Sequence, residues 1–324
     1  MAGTSANGEQ PARLELFADM QAITPCGQIV AFSTRRSRWL LAHLALDHGK
    51  WVQREELVTA LWPDVDAERS RRLLETELWR LRDSLRRANA GVAFLISGLQ
   101  GALRLENRPS LVIDVMAFRQ AISACAQSTV ANTDRELSAR RRRAISLYGG
   151  SLCPGIQTEG VIAAREYLRS TFINCLEAEL AYQVSLCSWA EVIELATRLI
   201  AEDCLLEHAH RQLIHAYWSL HDRARALAQY HRLEALLRRE LDVAPMAETR
   251  RLFERITSQT DCGRSVPLSE AETRSLYSSA CRRLPAGREP APPDRRPYGD
   301  GHSVRRLREM AGELSLIAST IEAH

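Results

Sequence analysis

ERSRRLLETELWRLRDSLRR, residues 68–87, is the stretch that decides how the N-terminal half of this chain reads. Leu74, Leu78, Leu81 and Leu85 recur at four, three and four residues, the spacing of one face of a 3.6-period helix. Arg69, Arg72, Thr76, Trp79, Arg80, Asp83 and Arg87 turn away from that stripe. A helix that docks by leucines and presents arginines around a polar residue suits a DNA major groove. Two shorter helical patterns precede it, and a hairpin pattern follows at residues 93–105. Three helices and then a hairpin is the order of a winged helix-turn-helix.

Working upstream, Leu14–Phe17 and Ile29–Phe32 are short apolar strand candidates around a turn at Pro25–Gly27. Thr34 is an N-cap for a helix running to about Asp47, with Trp39, Leu40, Leu44 and Leu46 inward. Residues 53–61 form a second helix, stopped by Trp62–Pro63, and Asp64 or Asp66 caps the third. Trp51 and Trp62 are expected in the core. Arg35, Arg36 and Arg38 open the first helix, either against phosphate or as a solvated face. Trp79 has two readings, an exposed ring that stacks on DNA or a core ring packed on the wing.

Downstream of Val112 the pattern turns to helix after helix, from 114–125 and 136–148 to long stretches between 160 and 256. Within them lies a 34-residue repeat. Ala190 matches Ala224, Leu186 matches Leu220, Leu199 matches Leu233, and Tyr182 and Tyr230 take packing positions. That period is the tetratricopeptide signature. The expected fold is therefore mainly α, a winged helix-turn-helix with a small β-sheet and wing followed by an all-α tetratricopeptide-like domain. The expected organisation is 1–12 disordered, 13–108 winged helix, 109–258 helical domain, 259–302 linker and 303–322 an amphipathic helix. The linker contains PAGREPAPPDRRPYGD. The last helix carries Val304, Leu307, Met310, Leu314, Ile317 and Ile321.

Composition narrows the function. A net charge of +3 gives no global basicity, so the position of the arginines matters more than their number. Lys50 is the sole lysine. Residues 69–87 hold seven Arg against Glu75, Glu77 and Asp83, a local balance of +4. Arg71 with Glu75, and Asp83 with Arg87, are four apart and can pair along the helix. The first residues, MAGTSANGEQPAR, lack the apolar core of a signal peptide, and no apolar run reaches membrane-span length. A cytoplasmic protein with no membrane partner is expected. The eight cysteines show no paired spacing and read as free thiols. His208, His210, His215 and His231 do not converge as metal ligands. With no nucleophile constellation and no GxxxxGK[ST] phosphate loop, neither enzymatic activity nor a cofactor is expected.

Longer pieces carry a resemblance. STRRSRWLLAHLALDHGKWVQREELVTALWPDVDAERSRRLLETELWRLRDSL and the hairpin after it resemble the OmpR-type winged helix found in Streptomyces antibiotic regulatory proteins. VIDVMAFRQAI, ISLYGGSLCPG, AAREYLRS, AEVIELATRLIAED and the stretch HAHRQLIHAYWSLHDRARALAQYHRLEALLRRELDVAPMAETRRLFERI resemble the bacterial transcriptional activator domain. The resemblance spans about residues 13–258 and leaves 259–324 unmatched. It implies a transcription activator that binds repeated promoter elements on double-stranded DNA, self-associates there and contacts RNA polymerase. It places Thr76, Trp79 and Arg80 towards bases and Arg72 and Arg82 near phosphates, while the helix period puts Arg69, Asp83 and Arg87 on the same open side. Arg104 is the basic residue available to the wing. The sequence departs from the family in its acids, Glu75, Glu77 and Asp83, and in Trp79. Those acids motivate a competing expectation, a helical interaction module whose winged helix has lost DNA binding.

Overall fold

Strand β1 (Ala12–Glu15) alternates buried and open side chains, as a half-covered strand must, and lies between two neighbours. It runs antiparallel to β2 (Gln21–Ile23) and parallel to a strand 96 or more residues on, Leu111–Ile113, the last of six among the described residues. The computed structural model describes residues 10–90, 94, 96–99, 101–126 and 133–258. Residues 1–9, the expected linker and the expected 303–322 helix lie outside the described residues. Ala12, expected in a disordered terminus, opens β1.

The second strand is earlier than the sequence predicts. Gln21–Ile23 pairs with β1, while Ile29 makes one isolated bridge to Ile23 and stays exposed. The turn explains this. Gly27, at φ +81°, donates its N–H to the Thr24 carbonyl at 2.9 Å and brings the chain back beside Ala22. Four residues after Val30 the chain must already cap a helix, so no room remains to extend the ladder.

That helix is α1 (Arg35–Leu46), where the Thr34 hydroxyl accepts from the Ser37 N–H at 3.0 Å. β3 (Val52–Gln53), α2 (Arg54–Leu61) and α3 (Ala67–Arg87) follow. Of the two candidate caps for α3, Asp66 does the work, accepting from the Arg69 N–H at 2.9 Å. The wing is β4 (Ile96–Leu99) and β5 (Ala102–Leu105), in a sheet of order β3-β5-β4. Leu40, Leu41 and Leu44 of α1 and Leu74, Leu78 and Leu81 of α3 lose all their accessible surface in one core. Each such burial contributes about 1.5–3 kcal/mol before ordering costs. Trp62 joins that core, but Trp51, also expected there, is 41% exposed, with the Arg104 guanidinium stacked over its ring.

β6 (Leu111–Ile113) leads straight into α4 (Asp114–Ala126). The Asp114 carboxylate accepts from the backbone N–H groups of Leu16, Phe17 and Val115 at 2.7–3.0 Å. Burial pushes its pKa up in spite of those bonds. Phe17 meets Phe118 edge-on at 5.8 Å and Tyr148 at 4.9 Å, and Tyr148 stacks on Phe172 at 3.9 Å. This aromatic cluster joins the N-terminal sheet to the helices behind it. A fragment ending at residue 108 would forfeit β6, Asp114 and the cluster, so binding tests belong on the full chain.

The remaining elements are α5 (Asp134–Leu147), α6 (Glu159–Ser185), α7 (Trp189–Glu202), α8 (Glu207–Ser219), α9 (Arg223–Leu241) and α10 (Ala247–Ser258). The 34-residue period is a structural one. α6 and α8 end 34 residues apart, at Ser185 and Ser219, and α7 and α9 begin 34 apart, at Trp189 and Arg223. Leu186 and Leu220 are the equivalent C-caps, each followed by a residue at positive φ, Cys187 at 54° and His221 at 61°. Leu199 and Leu233 are fully buried in the two copies, as are Val192 and Ala226. Ala190 and Ala224 sit one residue into their helices and are exposed.

Candidate nucleic-acid interface

α3 buries Ser70, Leu74, Glu77, Leu78, Leu81, Ser84 and Leu85 and shows its other side to solvent. On that open side Arg69, Arg72, Thr76, Trp79 and Arg87 are exposed, with Arg80 and Asp83 half-buried at its edges. Arg82 is exposed on the flank beside Arg71. Trp79 is 64% exposed, so it is not a core ring. The Thr76 hydroxyl donates back to the Arg72 carbonyl at 3.0 Å, so its oxygen lone pairs and methyl group remain for an incoming edge.

The acids Glu75, Glu77 and Asp83 are each engaged. Asp83 holds Arg86 and Arg87 at 2.7 Å each, as the spacing predicts for Arg87. Glu75 does not pair with Arg71. It pairs across to Arg54 at the start of α2, while Arg71 lies 3.9 Å from Glu55. The long-range pairing wins because α2 packs against that flank of α3 and delivers two opposite charges to it. Arg72 pairs with Glu68, an exposed contact that a phosphate can displace at little cost. Among the described residues, Arg69 and Arg82 make no ion pair.

Glu77 is the largest departure from expectation. It is 6% exposed and faces α1 rather than solvent. One oxygen, Oε2, accepts from the Thr34 hydroxyl at 2.5 Å and the Ser37 hydroxyl at 2.7 Å. The other, Oε1, accepts from Arg80 Nη1 at 2.7 Å. Burial opposes its charge, but the hydrogen bonds from Thr34, Ser37 and Arg80 and the Arg80 charge outweigh burial and hold the carboxyl below its usual range. The start of α1 is thereby tied to the middle of α3. Arg35, Arg36 and Arg38 on that first turn are exposed, and Arg36 lies over the Trp62 ring at 5.2 Å.

Arg104 is in mid-strand, opposite Ser97, with its guanidinium 4.5 Å from the centre of the Trp51 ring. Its Nε is buried without a partner. A residue that the sequence reading left unnoticed, Arg54, lies at the wing: its backbone N–H donates to the Gly101 carbonyl at 3.1 Å while its side chain takes Glu75. No local pattern marks it, because its role depends on α2, α3 and the wing converging.

Comparison with known proteins agrees with this architecture. Residues 113–257 match the bacterial transcriptional activator domain. The chain is 28% identical over 254 residues to the regulatory protein AfsR of Streptomyces coelicolor, covering 76% of this chain and 24% of AfsR. It is 26% identical over 240 residues to the transcriptional regulatory protein MoaR1 of Mycobacterium tuberculosis, covering 72% of this chain and 75% of MoaR1. The chain therefore spans about a quarter of the first relative and three quarters of the second. Among solved structures, Mycobacterium tuberculosis EmbR in complex with a low-affinity phosphopeptide matches with a TM-score of 0.61 at 21% identity, over 84% of this chain and 70% of EmbR. That likeness carries the fold, a winged helix followed by helices. No helix among the described residues is long and apolar enough to cross a membrane. With residues 113–257 matching an activator domain directly behind a winged helix, the chain is similar to these transcriptional regulators and resembles the Streptomyces antibiotic regulatory protein type.

Proposed function

We propose that this chain is a sequence-specific regulator of transcription that reads double-stranded DNA with α3. The observation that carries the reading is the state of the acids on that helix. Glu75, Glu77 and Asp83 are each held by an arginine, so none stands as a free negative charge on the open face, and among the described residues Arg69 on that face and Arg82 on its flank make no ion pair. The same observation weakens the alternative of an interaction module that has lost DNA binding, since that alternative rested on those acids. In this reading Thr76, Trp79 and Arg80 meet base edges. Arg69, Arg72, Arg82 and Arg87 meet phosphates, and Asp83 orients Arg86 and Arg87. Arg104 acts from the wing through its stack on Trp51. Residues 13–108 serve DNA and 109–258 serve activation, through contact with RNA polymerase and with a second copy on repeated promoter elements.

The test uses the full chain and duplex sites selected from a random pool. Each phosphate contact adds about −0.9 to the slope of log affinity against log salt. Arg72→Ala is expected to weaken all sequences alike and to flatten that slope by about one contact. Arg80→Ala is expected to cost about 1–3 kcal/mol of discrimination at one base pair. Selection that returns no preferred sequence, or binding indifferent to salt, overturns the reading.

A further inference from the structure

We propose that Glu77 is a positioning residue for base recognition, a buried carboxylate that fixes the direction of the Arg80 guanidinium. This rests on the DNA-binding reading of α3. Arg80 is 41% exposed at its side chain, long and flexible, and would otherwise sample many directions over the groove-facing surface. Its Nη1 is instead held 2.7 Å from Glu77 Oε1. Glu77 cannot swing with it, because Oε2 is pinned by two hydroxyls of a different helix, Thr34 and Ser37. The Thr34 hydroxyl is in turn fixed by capping α1, 3.0 Å from the Ser37 N–H. The arginine is thus anchored through α3 to the first turn of α1.

The chemistry of the fork leaves it usable. A guanidinium has five N–H donors, and occupation of Nη1 by one carboxylate oxygen leaves Nε and Nη2 free for two acceptors on one base edge. Guanine presents two adjacent acceptors, N7 and O6, in the major groove. An arginine already oriented gives up less side-chain freedom when it makes that pair, so its preference for guanine sharpens. The cost is charge. Glu77 cancels most of the Arg80 field towards phosphates, so the clamp favours discrimination over general attraction. A sequence-specific protein gains from that exchange, and a purely electrostatic DNA binder does not.

This gives the clamp a signature that a structural carboxylate would not have. Glu77→Gln keeps a carbonyl oxygen for the Thr34 and Ser37 hydroxyls but turns an amide NH2 towards Arg80 and removes a negative charge near the DNA. The variant is expected to bind unrelated duplexes about 2- to 5-fold more tightly, while its preference at the base pair read by Arg80 falls about 10-fold. In an Arg80→Ala background the same change should leave discrimination at that base pair untouched, because nothing is left to position. Thermal unfolding of each variant reports folding separately. If Glu77→Gln weakens specific and nonspecific binding by one factor, or its effect on discrimination adds fully to that of Arg80→Ala, Glu77 is structural and the proposal is wrong. If Arg80→Ala itself leaves every base preference intact, Arg80 does not read a base and the proposal falls with that assignment. Absence of sequence preference in the unsubstituted protein would instead overturn the proposed function.

Discussion

Asp114→Ala lowers the stability of the full chain by about 3–5 kcal/mol, read as a shift in the midpoint of urea unfolding. The carboxylate is the acceptor for three backbone N–H groups, two of them, Leu16 and Phe17, almost one hundred residues away just past β1. Alanine leaves all three without an acceptor, and a buried donor left unmade costs about 1–3 kcal/mol. The loss is local in origin and wide in effect. Leu16 and Phe17 hold the N-terminal sheet against α4, and Phe17 is part of the cluster with Phe118, Tyr148 and Phe172. Asp114→Asn keeps one acceptor oxygen and is expected to lose about half as much. Equal and small losses in both variants would show that the N-terminal sheet is held by its apolar contacts alone.

The second large effect is on pH. His215 is 7% exposed, lies edge-on to Trp189 at 4.9 Å and to Trp218 at 6.2 Å, and leaves Nε2 without a partner. Burial, with the Arg255 charge in support, pushes its pKa down from 6.5 to about 4. The folded state therefore resists the proton that the unfolded chain takes up. Stability is full above pH 6.5 and is lost as the pH falls towards 4, by about 3 kcal/mol from this ring. Two other histidines push the same way. Burial lowers the pKa of His210, where the Gln229 amide donates to Nδ1 at 2.7 Å and Nε2 donates to the Cys204 carbonyl. Burial also lowers that of His43, whose Nε2 lies 3.0 Å from the Thr158 hydroxyl. His215→Phe preserves the aromatic contacts and removes the titration. Urea unfolding at pH 7 and pH 4 should show the variant losing about 3 kcal/mol less than the unsubstituted chain. Parallel losses in the two proteins would mean that His215 titrates as an exposed histidine does.

Both effects arise from contacts between distant segments, and the same holds for the candidate site. The direction of α3, its cap at Asp66, its leucine stripe and its pairing of Asp83 with Arg87 depend on residues within a turn or two of one another. Hydrophobic period and helix geometry determine these, so the sequence by itself carries them. The 34-residue repeat is legible for the same reason, since a helix pair that stacks on its own copy must return the same buried positions, Leu199 and Leu233, at the same spacing.

Only the tertiary structure decided which acid faces what. Glu75 and Glu77 stand two residues apart, yet one reaches Arg54 on α2 and the other is buried against Thr34 and Ser37 on α1. Trp51 and Trp62 look alike as core rings, but Arg104 from β5 covers one in the open and the leucine core takes the other. The sheet tells the same story, because β2 ends where the turn at Gly27 and the cap at Thr34 leave it room to end. In each case the deciding partner comes from another element, about 20 to 50 residues away for the side chains. A charge or an indole carries no local mark of the partner it will meet, because that partner is chosen by how helices and strands pack.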